Sequence, residues 1–244
     1  MVKLLGQSGT RRRMQAVISI QRAQHRMTEI TDEHIEWAVV DRLRQMLTEP
    51  SHREFNVTQS YSLFTTVLCW VMQRVRIRSH EVRPATNPRG RDDRRARALY
   101  LNWDNAPANA DPWLLPTQSV PRIALVGGHS VAIPASVNFE HHSAARALVN
   151  LRDAAAHGDA RNVIPMNASA LGGGTLVGFR FRCEEKENRK TTWSGEMTLL
   201  ETDMRRIGVA LANVYCQALS SNNDSQDGNQ FSENAMRVRE LQSA

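Results

Sequence analysis

The sequence predicts a mainly helical domain carrying one small antiparallel β-hairpin between its last two helices, and three features predict it. Four segments, near 31–49, 58–77, 137–157 and 202–219, repeat apolar residues at the spacing of a helix buried on one side. A single stretch, 176–198, switches to strand-like alternation, breaks at a polar run and alternates again. No apolar run reaches the roughly 18 residues that span a bilayer.

The first helix is signalled by Thr31 as its cap, Asp32 and Glu33 in its first turn, and Ile30 set to staple against Ile35. Ile35, Val39, Leu43, Met46 and Leu47 mark its apolar face, and Pro50 closes it. In the second, over 58–77, Tyr61, Phe64, Leu68, Val71 and Val75 recur at helical spacing, with Arg74, Arg76 and Arg78 at its end. Residues 79–135 are punctuated by seven prolines and read as a long connector. Within it 91–100 predicts a short helix, 123–126 a short strand, and Trp103, Trp113, Leu114 and Leu115 anchors onto the core. The third strong helix, 137–157, presents Ala144, Leu148, Leu151 and Ala155, and Gly158 ends it as a C-terminal cap. Strands over 176–182 and 190–198 flank a polar turn at 184–188, and the last helix, 202–219, is supported by Met204, Ile207, Leu211, Val214 and Ala218.

The folded domain is therefore expected over 28–220. Residues 1–27 read as a basic, disordered segment without a single acidic side chain, superficially like a transit peptide, and 221–244 as a disordered polar tail. Cys69, Cys183 and Cys216 are too few and too scattered for a disulfide framework or a structural zinc site, which points to a reducing, cytoplasmic location. A net charge of +6, dominated by arginine, tilts the expected partner toward RNA, because the guanidinium fork suits phosphate. No membrane contact and no cofactor is called for.

The one constellation with a mechanism attached is Leu151-Arg152-Asp153-Ala154-Ala155-Ala156-His157-Gly158. Five residues of helix separate Arg152 from His157 by about 140°, so the two are neighbours rather than stacked partners. Asp153, four residues before His157, can orient the imidazole. A histidine can move a proton near neutral pH and an arginine can hold a phosphate, a pairing that suits metal-free RNA cleavage through attack by the 2′-hydroxyl. The same spacing also fits solvated residues on the last turns of a helix, with His157 favouring its negative end. His142, Arg146 and Arg161, with Arg74, Arg76 and Arg78, are the further candidates for RNA contact. Gly127-Gly128-His129-Ser130 lacks the Lys-Ser/Thr of a phosphate loop and reads as a turn, Gly172-Gly173-Gly174 as a loop, and no His, Cys, Asp and Glu grouping has metal-ligand spacing.

This segment resembles the R-x4-6-H signature of HEPN domains. The stretch from Arg152 to Pro165, followed by Leu176-Val177-Gly178-Phe179, is similar to a plasmid-associated bacterial HEPN subfamily, and the resemblance extends over about 30–220. It implies a HEPN-like helical bundle that acts as a metal-independent endoribonuclease, with Arg152 and His157 at the motif ends and Asp153 at the variable polar position. It also implies a homodimer formed across the motif helix. A toxin or defence effector with a cognate antitoxin is the role such an activity suggests. Other HEPN members are non-catalytic nucleotide-binding modules or partners of nucleotidyltransferases, so a binding module is the alternative.

Overall fold

The computed structural model describes residues 35–49, 56–84, 86–87, 89–126, 128–157, 160–168 and 174–220. In chain order these form α1 (Ile35–Thr48), α2 (Asn56–Val75), a 3-10 turn (Ser79–Glu81), α3 (Gly90–Asp104), β1 (Arg122–Val126), β2 (His129–Ile133), α4 (Ala144–Ala156), β3 (Val163–Ala168), β4 (Thr175–Glu187), β5 (Lys190–Leu200) and α5 (Glu201–Ser220). The strands make two antiparallel sheets, β1-β2 and β3-β4-β5. The expectation of a mainly helical, HEPN-like bundle with one hairpin is thus corrected: five strands stand beside five helices among the described residues, and the architecture is a mixture of α and β. The expectations for 1–27 and 221–244, the Thr31 cap and the Gly158 stop fall outside the described residues.

Helix α2 is the centre of the body. Val57, Phe64, Val67, Leu68, Val71, Met72 and Val75 are buried around it, an apolar stripe wide enough to touch the other helices on several sides and β4 as well. Tyr61 stacks on Phe179 at 4.4 Å between centroids, and Phe64 meets Phe181 edge-on at 6.4 Å. These contacts seat the inner face of the three-stranded sheet on α2. On α1 the buried positions are Val40 and Leu47, with Trp37 and Leu43 packed alongside, whereas Ile35 and Met46 are exposed. Gly208 explains the close approach of α1 to α5, since a β-carbon there would sit 2.8 Å from Leu47 Cδ1.

Two predicted boundaries move for local reasons. Helix α4 begins at Ala144 rather than near 137, because Ser143 takes an extended backbone and its hydroxyl accepts the Arg146 N–H. The polar run 184–188 is not a turn: β4 continues to Glu187, and Asn188 and Arg189 (φ 48° and 67°) supply the tight reversal into β5. Strand β3, with Pro165 inside it, was not anticipated. Neither was β2, which starts at the histidine of the glycine-rich segment. The β1-β2 hairpin shares a second small core with Ala168, Val177 and Leu200, and Arg122 bolts it to α5 through Asp203 (2.5 Å).

Helix α3 is pinned by a fully buried carboxylate. Asp93, in its first turn, accepts the backbone N–H and Nε of Arg83 (2.9 and 2.7 Å) and is also met by Arg83 Nη2 (2.6 Å) and Arg74 Nη2 (3.1 Å). The hydrogen bonds from Arg83, reinforced by Arg74, hold its carboxyl well below the usual carboxylate range. Removing one member of such a set strands the others. Asp93→Ala is therefore expected to lower unfolding free energy by about 3 kcal/mol in urea titrations. Because the folded-state pKa is depressed, the wild type's contribution from Asp93 is complete at neutral pH and is lost as pH falls below about 4.

Candidate functional site

Helix α4 runs along the inner face of β4, and β4 alternates strictly there: Phe181 and Cys183 are buried, while Arg182, Glu184 and Lys186 are exposed on the other face. Burial pushes the Cys183 thiol up to about 12. That of Cys216 is likewise pushed up to about 12, and none of the three cysteines is disulfide-bonded. Glu185, next on the inner face, is gripped by α4. Its Oε1 accepts Arg146 Nε (2.7 Å) and Asn150 Nδ2 (2.9 Å), and its Oε2 accepts Arg146 Nη2 (2.7 Å). These hydrogen bonds, Arg146 first, hold the Glu185 carboxyl below its ordinary value.

The clamp fixes where the last turn of α4 ends. His157 caps that helix in α conformation, its N–H bonded to the Asp153 carbonyl at 3.3 Å, and its side chain is exposed. It opens onto a cleft of about 560 Å³ lined by His157, Arg161, Asn162, Arg182, Glu184 and Lys186. Three permanent cations therefore face one carboxylate around the exposed imidazole. The cations are braced rather than floating: Arg182 Nε bonds Glu196 at 2.7 Å, and Lys186 Nζ pairs with Glu184 at 2.9 Å. A braced guanidinium keeps donors to spare, since five N–H groups exceed what one carboxylate takes.

Of the predicted residues, the structure brings together His157 and Arg161. Arg152 goes elsewhere. Its Nη1 meets Asp153 at 2.6 Å and its Nη2 donates to Gln73 on α2 at 2.8 Å, a direction that follows from the 140° or so between the two side chains around the helix. The Asp153 carboxylate is engaged by Arg152 and, at 3.9 Å, by Arg76. Arg74 is spent on Asp93, and Arg78 closes the 3-10 turn with Glu81 through its N–H (2.9 Å). His142 and Arg146 part company: His142 is buried against Trp193, while Arg146 is exposed and pairs with Glu185 over the Trp193 ring. Arg182, Glu184, Lys186 and Asn162 were not anticipated. Their signal was the alternation 182, 184, 186, hidden by reading the polar run as a turn.

Among the described residues no group of three or more His, Cys, Asp or Glu side chains is placed to hold a metal ion, and no helix is long and apolar enough to cross a membrane. Comparison of the chain with family models, with curated proteins and with solved structures finds no match.

Behind the clamp lies a second histidine of opposite character. The His142 side chain is 5% exposed, its ring packs against both Phe139 (5.0 Å) and Trp193 (4.5 Å), and its Nε2 has no hydrogen-bond partner, the Glu185 carboxylate being 4.0 Å away. Burial lowers its pKa first; Arg146 on α4 and the neighbouring His141 add to that, against the pull of Glu185 on β4. Above about pH 6.5 both the folded and unfolded states hold a neutral imidazole. Below it the unfolded state binds a proton that the folded state refuses, so stability declines as pH drops. His142→Phe is expected to flatten the fall in thermal unfolding temperature between pH 7.5 and 5.5, and a parallel fall in both proteins would contradict this role.

Proposed function

We propose that this chain binds RNA in the cleft beside His157 and cleaves it without a metal, as a HEPN-type endoribonuclease. The observation that carries the reading is an exposed imidazole at the mouth of a cleft where Arg161, Arg182 and Lys186 converge. Cations of this kind bind phosphodiesters by displacing counterions, and arginine does so with directional donors. In the reaction the neutral His157 imidazole takes the proton of a 2′-hydroxyl. The freed oxygen attacks the adjacent phosphorus, the bond to the 5′-oxygen breaks, and the departing oxygen takes up a proton. The products are a 2′,3′-cyclic phosphate and a 5′-hydroxyl. Arg182 and Arg161 stabilise the charge that grows on the phosphoryl oxygens. An in-line displacement needs a second proton carrier opposite the first, which the same histidine of a second copy would supply in a symmetric dimer.

A second reading has an observation of its own. Arg152 is held by Gln73 and Asp153, away from the cleft, and a site that does not gather its motif arginine suits binding without cleavage. A toxin or defence role, and an antitoxin or nucleotidyltransferase partner, belong to the first reading and inherit its test.

In buffer containing EDTA, the wild type is expected to degrade single-stranded RNA and His157→Ala to do so about 10²- to 10⁴-fold more slowly, with binding nearly unchanged. Arg182→Ala should weaken binding and make its dependence on log salt shallower by about one. Retained, salt-sensitive binding with no cleavage by the wild type would favour the binding module. Equal degradation by wild type and His157→Ala would remove the nuclease.

A further inference from the structure

Beyond bracing Lys186, the Glu184 carboxylate has no part in binding a phosphodiester. Glu184 is a carboxylate in a cleft otherwise lined by three cations, an amide and an imidazole, and a negative charge weakens a site meant only for phosphate. Its setting in the sheet gives it another use. Among the described residues strand β3 pairs with β4 from Thr175 to Phe181, and the last contact at that end is the Arg182 N–H donated to the Asn162 carbonyl at 2.8 Å. Strand β4 runs on to Glu187. Peptide groups alternate sides along an antiparallel strand, so the N–H and C=O of Glu184 face the same side as those of Arg182, beyond the end of the described partner strand. One residue thus brings a main-chain donor, a main-chain acceptor and a carboxylate to the wall of the cleft.

We infer that Glu184 reads the base of an unpaired guanine, so that the substrate class of the cleft is single-stranded RNA containing guanine; the inference rests on the phosphodiester-binding reading above. Guanine places two donors, N1–H and the N2 amino group, side by side next to the acceptor O6. A carboxylate accepts both donors, while a main-chain N–H answers O6. Adenine and cytosine present a ring-nitrogen acceptor where guanine has N1–H, which would oppose the carboxylate. Uracil offers a single imino donor between two carbonyls. The 2.9 Å contact from Lys186 Nζ occupies one of about four acceptor positions on the Glu184 carboxylate and leaves room for the base. The Watson–Crick edge is free only in an unpaired nucleotide, and about 560 Å³ is the scale of a small-molecule site rather than of a duplex.

The test uses fluorescein-labelled 2′-O-methyl octamers, which cannot be cleaved, with the full chain in fluorescence anisotropy. The sequences are all-uridine, uridine with one guanosine, uridine with one inosine, which lacks the N2 amino group, and the guanosine octamer annealed to its complement. The wild type is expected to bind the guanosine octamer about tenfold more tightly than all-uridine, the inosine octamer between the two, and the duplex weakly. Glu184→Gln should bind guanosine and uridine octamers alike, with an unchanged thermal unfolding curve as expected for an exposed position. Salt-sensitive binding without base preference overturns the inference and leaves the function standing, as does a guanosine preference that survives Glu184→Gln. Failure to bind any octamer at low salt overturns both.

Discussion

The grip of Arg146 and Asn150 on the Glu185 carboxylate ties helix α4 to strand β4, and the candidate site follows from it. Because successive residues of a strand point to opposite faces, fixing Glu185 on the inner face sends Arg182, Glu184 and Lys186 outward together. Because the helix is held along its length, its last residue is set at the end of β3, where His157 meets those side chains. The pair itself is part-exposed, and a lone surface ion pair contributes little to stability. Its value here is positional: Asn150 is buried, Trp193 lies under the Arg146 guanidinium at 5.8 Å, and the His142 ring closes the back of the cluster. A site assembled this way is held by elements of regular structure rather than by loops alone, which favours a preset geometry.

The same helix divides its functional candidates. Arg152 and His157 lie five residues apart, about 140° around the helix, and their side chains go to different elements. Arg152 takes the α2 side, where Gln73, Asp153 and Arg76 form a charged seam between helices, and His157 takes the β4 side. The chain therefore presents two polar surfaces joined through α4 rather than a single composite site. That division sets the cleft, with His157, Arg161 and Arg182, apart from Arg152 within one chain.

How much of this was legible in the sequence depends on how each element earns its place. Helices α2 and α5 were legible because each buries a long stripe: Phe64, Leu68, Val71 and Val75 in one, Met204, Ile207 and Leu211 in the other. Strand β3 was not, since six residues interrupted by Pro165 carry no clear alternation. It is an edge strand, where a missing N–H costs nothing in the ladder. The extension of β4 through Glu184, Glu185, Lys186 and Glu187 was masked by its charge, because its outer face is solvated and its inner, half-buried glutamate is held by partnership rather than by apolar character. These hidden strands are also what turned an expected helical bundle into a mixed fold. At the site, the imidazole and Arg161 could be named from the motif and its surroundings. Arg182 and Lys186 could not, because they reach His157 only through sheet pairing that no local pattern encodes.

The central claim is that the cleft beside His157, and not the seam around Arg152, receives a phosphodiester. Side-chain NMR of the histidine rings and arginine Nε–H groups, recorded while a 2′-deoxy tetranucleotide is added, tests it directly. Saturable shifts confined to His157, Arg161 and Arg182, with Arg152, Arg76 and the buried His142 unmoved, are the predicted result. Shifts centred on Arg152 and Arg76 with a silent His157 would contradict the account.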